Sequence, residues 1–435
     1  MPHVAFVSFT GFRVREAEML ELGMTLPGLR PRAAAIAQLP TLSLLTLAGL
    51  TPPHWSCSYH ESADKGALAE EVLQTRPDLV AVSTLTASVE EAYRFSGRLR
   101  QHGVRVVLGG LHVTACPDEA QLHADAVVIG EGEPVWPRLL ADAETDNLRP
   151  LYRAEAPFDL AEASVPRFDL LGGRTRPRLT VQTQRGCPLA CEFCAASRLL
   201  GPYRVKPLPN LRRELSAITA LVPDPVLELA DDNTFVGGRD AWALLDTLAG
   251  AKARYFTEAD WRIGERPELL RPLAASGCVQ VLVGVESLVF RAAGMGAKQA
   301  ELPRIMDAVR AIQEAGVAVI GCFIVGCDGE TRQTLDRLKE TILDSPLADV
   351  QLTLQTPFPG TALYRRLRQQ GRLLPERGWS HYTLFDVTYQ PDPMSVSELE
   401  TSFREVIRQV FSAEASSRRQ EIRKQTWRKN PGMMP

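Results

Sequence analysis

The feature that most constrains this chain is a succession of short apolar segments, each followed by a helix-length stretch, that runs twice along the sequence. His3 to Phe9, Cys57 to His60, Leu79 to Thr84, Arg105 to Gly110 and Ala126 to Gly130 form the first series. Between the third and fourth, Ala92, Phe95 and Leu99 recur at helical spacing and Gly103 ends the run. Strand, helix, strand in alternation predicts a parallel, doubly wound sheet over residues 1–145. Such sheets hold ligands beyond the carboxyl ends of their strands. That places Ser83 to Thr86, Gly109 to Thr114 and Gly130 to Glu133 around one pocket.

From 146 to 176 the periodicity breaks at Pro150, Pro157 and Pro166, as expected of a linker. The second series spans 177–370: Leu179 to Gln184, Val226 to Asp231, Ala253 to Ala259, Val279 to Glu286, Val317 to Gly326 and Asp349 to Thr356. Six strand–helix units predict a partial (β/α)6 barrel of the TIM type, with its site at the C-terminal ends of the strands. Residues 371–435 read as a small helical region with a helix from Val396. Its tail, from Ser416 to Lys429, has six basic residues and one acidic residue. A solvated helix end and a contact for an anionic partner both fit that tail. Trp379, Tyr382 and Phe385 suit either a core or a substrate cavity.

With 45% apolar and 23% charged residues and a net charge of −3, the 435-residue chain suits neither disorder nor general nucleic-acid binding. The start lacks a charged and continuously apolar leader. The longest apolar run, Thr41 to Leu50, is about half of the roughly 18 residues a membrane span needs. A reducing cytoplasm is therefore expected, where clustered cysteines bind metal more often than they pair.

Three of the eight cysteines cluster. Cys187, Cys191 and Cys194 follow the first strand of the second series, in the loop above its C-terminal end. Three thiolates without a fourth nearby cysteine or histidine suit a structural zinc poorly. They suit a cubane cluster with three irons held by protein and one left open.

This Cys-x-x-x-Cys-x-Phe-Cys loop, with Phe193 before the last cysteine, resembles that of the radical S-adenosylmethionine superfamily. The resemblance implies a [4Fe-4S] cluster on Cys187, Cys191 and Cys194 whose open iron chelates S-adenosylmethionine, with Phe193 near the adenine. It also implies cofactor contacts from Asp232, from Glu286-Ser287 after the fourth barrel strand, and from Gly326 on the fifth. An Asp231-Asp232-Asn233 turn that merely caps the next helix remains open. So does packing alone for the Gly321–Gly326 and Gln355–Thr361 segments. Glu286 ends an apolar strand, where an unpaired carboxylate is costly, so a bound polar partner is expected.

A flavodoxin-like or Rossmann-type domain ahead of such a barrel resembles the cobalamin-binding subclass. By that resemblance Ser83, Thr86, Gly109, Gly110, His112, Thr114, Gly130, Glu131 and Gly132 line the cobalamin site. Glycines at strand ends let a large flat ligand approach the backbone. The Asp-x-His-x-x-Gly loop of other cobalamin domains is absent, with only Asp64 and Gly66 as an echo in the stretch from His60 to Glu70. A sheet of the same kind that binds substrate or a partner at this surface is the alternative. His54 and His60 read as ordinary surface residues.

The resemblance implies a methyltransferase acting on an unactivated carbon or phosphorus of a small molecule, supplied with electrons by an external flavodoxin- or ferredoxin-type donor. Oxidative cyclisation or ring rearrangement with the same cofactors is the enzymatic alternative. A cluster-bearing RNA-binding or electron-transfer protein is the non-enzymatic one, although nucleic acid is not an expected partner.

Overall fold

In the computed structural model, the described residues are 1–430 apart from 12, 32–34, 36, 37 and 173–177. The expected start of the barrel region at 177 lies outside them, as do the tail residues 431–435.

The first series folds as expected into a parallel sheet, with β1 (His3–Phe9), β2 (Ser56–Ser62), β3 (Leu79–Ser83), β4 (Arg105–Gly109) and β5 (Ala126–Ile129). Almost every residue of β1, β3 and β5 is buried, because helices cover both faces. The order is β2-β1-β3-β4-β5-β6, with a sixth strand where none was expected: β6 (Leu151–Arg153) pairs in parallel with β5. Three residues between prolines carry no readable periodicity. The edge of the sheet defines this strand, through bonds such as that from the Val127 N–H to the Pro150 carbonyl (3.0 Å).

The second series forms a six-stranded parallel sheet of β7 (Leu179–Val181), β10 (Val226–Leu229), β11 (Arg254–Ala259), β12 (Cys278–Glu286), β13 (Ala318–Val325) and β14 (Asp349–Leu354), in that sequential order. Sequential neighbours throughout are what a barrel-type winding produces. The expected strand from Leu179 to Gln184 is divided. After β7 the buried Asp231 carboxylate accepts the N–H groups of Thr183 (2.7 Å) and Gln184 (3.1 Å), which turns the chain. Gln184–Arg185 (β8) then pairs antiparallel with Arg204–Val205 (β9), and the cysteine loop is the excursion between them.

The apolar run noted at Thr41 to Leu50 is a helix, Leu42–Leu50, with Leu44, Leu45 and Ala48 buried. Among the described residues no helix is long and apolar enough to cross a membrane. The expected final helix is Val396–Val410, begun by a capping box between Ser395 and Glu398. A further helix, Ala413–Arg428, carries the basic tail. Its inner face docks on the barrel, where Arg423 pairs with Asp349 (3.3 Å) and the Trp427 indole donates to the Val279 carbonyl (2.8 Å), while Arg419 donates to the Val410 carbonyl at the end of the preceding helix. Much of the basic charge is thus spent within the chain.

The C-terminal region also reaches the first sheet. Asp386 accepts the N–H groups of Arg15 (3.1 Å) and Glu16 (2.7 Å), and Arg404 pairs with Glu18 (2.9 Å). Trp379 donates from its backbone to Glu90 (2.9 Å) and from its indole to Glu119 (3.0 Å).

Candidate functional site

The strand ends of the first sheet face the barrel across a cavity of about 390 Å³. Of the residues expected there, Ser83, Gly109, Gly110, Thr114, Gly130, Glu131 and Gly132 line it. Gly130 has φ +79° and open space where a Cβ would stand, so the backbone itself is the wall. Thr114 Oγ1 fixes that turn by accepting the Gly130 N–H (2.9 Å).

Two expected residues face elsewhere. Thr86 is buried in the turn after β3 and does not line the cavity. His112 is fully buried on the far side of its helix, edge-on to Trp379 (4.9 Å between centroids), and burial lowers its pKa despite Glu119. His60, read as a surface residue, is buried and bonded to Glu71 (2.8 Å) and Ser58 (2.8 Å). The Asp64 echo is a helix cap, its carboxylate accepting the N–H groups of Gly66 and Ala67. Trp379, Tyr382 and Phe385 lie outside the cavity wall, with Tyr382 buried against Trp379.

Glu131 is engaged inside the chain. Its carboxylate accepts from Arg185 (2.5 Å), Arg204 (2.9 Å) and the Phe158 N–H (2.7 Å). Arg185 also pairs with Glu133 (2.7 Å). Burial would depress the Arg185 guanidinium, but Glu133 and Glu131 hold it above its ordinary value. This buried network ties a strand-end loop of the first sheet to the residue two before Cys187.

The cysteine loop is pinned from both sides. The N–H groups of Ala190 and Glu192 donate to the carbonyls of Gly294 (3.2 Å) and Ala293 (3.0 Å), while Glu192 pairs with Arg366 (3.0 Å). A Cβ on Gly294, at φ +82°, would lie 2.0 Å from the Ala190 carbonyl oxygen, so only glycine permits this approach. None of the eight cysteines forms a disulfide. Cys187, Cys191 and Cys194 lie within electrostatic reach of one another, and burial pushes the Cys191 thiol up to about 11. Ionisation of such a thiol at neutral pH calls for a bound metal. Among the described residues no group of three or more His, Cys, Asp or Glu side chains is gathered closely enough to hold a metal ion. Three thiols with no fourth donor are the ligand set of a cubane with one open iron.

The remaining expected residues surround this loop. Phe193 packs between Cys191, Ala292 and Met295 on one side and Leu363, Leu367 and Tyr389 on the other. In the Asp231-Asp232-Asn233 turn, Asp231 holds the β7 turn and Asn233 Oδ1 accepts the Asp260 N–H (2.9 Å). The following helix, Ala241–Gly250, is capped instead by Asp240. Asp232 stays half-buried within reach of Cys187, and burial and then Asp231 push its carboxyl up to about 6. Glu286 ends β12 at φ +69°, rare for a residue with a Cβ. The partner expected for it comes from the chain itself, as Lys298 donates to its carboxylate.

Ser287 and Gly326 share a partner not anticipated from the sequence. The Glu330 carboxylate accepts the Ser287 hydroxyl (2.8 Å) and the Gly326 N–H (2.7 Å). Burial pushes Glu330 up to about 7 against these bonds. Because its folded pKa lies above the ordinary 4.5, the native state binds the extra proton. Its contribution is thus complete below about pH 4.5 and is lost as pH rises towards 7. Glu330→Gln keeps two acceptor or donor contacts without a charge. It is expected to flatten the pH 5–7.5 decline in unfolding free energy, on the order of 3 kcal/mol for an isolated group, as read by denaturant titrations across pH.

Three sequence profiles match the chain: the B12 binding domain over residues 37–140, the Radical SAM superfamily over 181–342, and a domain of unknown function, DUF4070, over 361–432. Bacteriochlorophyllide d C-12(1)-methyltransferase of Chlorobaculum tepidum is 22% identical over 89% of this chain and 86% of its own length. Bacteriochlorophyllide d C-8(2)-methyltransferase of the same organism is 26% identical, covering 81% of each chain. Anaerobic magnesium-protoporphyrin IX monomethyl ester cyclase of Cereibacter sphaeroides is 25% identical over 82% of this chain and 63% of its own. Among solved structures, the cobalamin-dependent S-adenosylmethionine radical enzyme OxsB with aqua-cobalamin bound superposes with a TM-score of 0.68 at 14% identity. The match covers 92% of this chain and 66% of that one. One chain thus carries a B12 binding domain and a Radical SAM superfamily domain in that order, on a fold it shares with the cobalamin-dependent radical enzyme OxsB.

Proposed function

We propose that this enzyme methylates an unactivated carbon, or phosphorus, of a small molecule. The observation that carries the proposal is the cavity itself. One wall is the glycine-lined strand ends of the first sheet, and the other includes Gln182, Arg185 and Ala230, at the barrel end where the cysteine loop begins. In this reading Gly109, Gly110, Thr114, Gly130 and Gly132 bound the cobalamin site, and Cys187, Cys191 and Cys194 hold the cluster. Phe193, Asp232, Glu286, Ser287 and Gly326 surround S-adenosylmethionine, the last two through the frame that Glu330 supports. The bound cofactors supply the one-electron cleavage of S-adenosylmethionine to a 5′-deoxyadenosyl radical and the carriage of the methyl group.

The chain's own part is orientation and exclusion of water. Lys298 holds Glu286 in its left-handed conformation. The Arg185–Glu131–Arg204 network keeps the two halves of the cavity in register. An external flavodoxin- or ferredoxin-type protein supplies electrons in this scheme.

Anaerobic reconstitution followed by optical and paramagnetic spectroscopy should show both cluster and cobalamin. Turnover should then yield S-adenosylhomocysteine together with 5′-deoxyadenosine. A protein that forms the cluster and fails to take up cobalamin would overturn the proposal. The cyclase relative favours one alternative, oxidative cyclisation, which yields 5′-deoxyadenosine without S-adenosylhomocysteine.

A further inference from the structure

A buried ion pair sits in the wall of the same cavity, on its barrel side, and no step above uses it. Lys206, just after β9, donates to Glu214 Oε1 at 2.6 Å. Lys206 is 5% exposed and Glu214 1% exposed, and both line the cavity. The second carboxylate oxygen, Oε2, has no hydrogen-bond partner. The ammonium has three donors, and Glu214 is the partner the structure gives it.

Such a pair is poorly explained as a stabilising device. Removing two charges from water costs several kcal/mol per ion, offset only when the remaining donors and acceptors are also satisfied. An unpartnered buried acceptor adds to that cost. The local fold has the means to satisfy such groups and does so close by. Asn210, on the helix Leu208–Leu221 that also carries Glu214, spends its amide on the carbonyls of Leu160 (3.2 Å) and Ala161 (2.8 Å), which fixes the linker at this edge of the cavity. The capacity left on Lys206 and Glu214 therefore points to what the cavity holds.

A carboxylate oxygen beside an ammonium offers an acceptor and donors on adjacent atoms. The complementary group is a primary carboxamide, which donates through its NH₂ and accepts through its oxygen. The periphery of a corrin ring carries such amides on acetamide and longer propionamide arms. We infer that Lys206 and Glu214 form a recognition site for one peripheral propionamide of the corrin ring. This inference rests on the reading that the cavity holds cobalamin.

The test uses the full chain with its cluster reconstituted and titrates hydroxocobalamin and its b-, d- and e-monocarboxylates, in each of which one propionamide has become a carboxylate. Dissociation constants come from the absorbance change of the corrin, so no turnover is needed. The wild-type protein is expected to bind one of the three acids at least tenfold more weakly than cobalamin, because that acid sets a carboxylate against Glu214. Glu214→Gln retains the contact with Lys206 and presents an N–H in place of Oε2. It should therefore bind that same acid at least as tightly as cobalamin. A paired Lys206→Met, Glu214→Leu variant, which removes both charges together, should bind cobalamin about tenfold more weakly and treat all three acids alike. Equal binding of cobalamin and all three acids by the wild type would overturn the inference. So would an unchanged order of preference in Glu214→Gln. Failure of the wild type to bind cobalamin at all would instead overturn the underlying reading.

Discussion

Cys191→Ala is expected to leave the protein folded, free of cluster and unable to cleave S-adenosylmethionine, with 5′-deoxyadenosine formation reduced by more than about 1,000-fold, or roughly 4 kcal/mol of barrier. A cubane held by three thiolates has no spare ligand, and losing one removes a third of its attachment. Cys191 is the most buried of the three, packed against Ala292 and Met295. The loop itself is held by backbone bonds from Ala190 and Glu192 and by the Glu192–Arg366 pair, none of which involves the Cys191 sulfur. The fold should therefore tolerate the change. Iron content and the low-field paramagnetic signal test the first half of the expectation. Cobalamin titration tests its specificity, because Cys191 is absent from the cavity wall and corrin binding should survive. A variant that keeps its cluster and its cleavage activity would remove the three-cysteine assignment.

The second large effect is expected from Arg185→Met. This substitution strips Glu133 of its arginine and leaves Arg204 as the one cation paired with Glu131 among the described residues, in a setting where Glu131, Glu133 and Arg185 are all largely buried. Deleting one partner of a buried pair leaves an uncompensated charge and costs about 3–5 kcal/mol. A fall of roughly 3–5 °C in the unfolding midpoint is expected for a chain of this size. The same change should weaken cobalamin binding, because the Gly130–Glu133 loop is then tethered to the barrel through Arg204 alone. Adding Glu133→Gln should restore part of the stability by removing the stranded carboxylate. A single Arg185→Met that melts with the wild type, or a double variant no better than the single, would show that the network carries little energy.

The strands were legible because burial on both faces leaves continuous apolar runs, and β1 matches its expected bounds of His3 and Phe9. The cysteine loop was legible because spacing along the chain fixes which thiols can share a cluster. What escaped the sequence was long-range. β6 is three residues that exist only because β5 offers an edge. The second role of Asp231, as the group that bends β7 into its turn, depends on residues 48 positions away. Glu131 and Arg185 each stood next to a motif glycine, but their pairing spans 54 positions and has no local signature. Glu330 follows a glycine in an acidic turn after the fifth barrel strand, and an acid at the end of an apolar strand was the available signal. His112 is the converse case. The resemblance alone placed it at the cobalamin site, and helix geometry turns its side chain towards Trp379.

The clasp between Asp386 and the backbone of Arg15 and Glu16 joins positions about 370 apart in sequence. During synthesis the first sheet emerges early, and its helices can cover it at once. The N–H groups of Arg15 and Glu16, however, wait for an acceptor about 370 positions further along the chain. The segment after β1 is therefore set in place by a residue made long after the sheet it leaves, and a chain halted before Asp386 would carry that sheet with this clasp unmade.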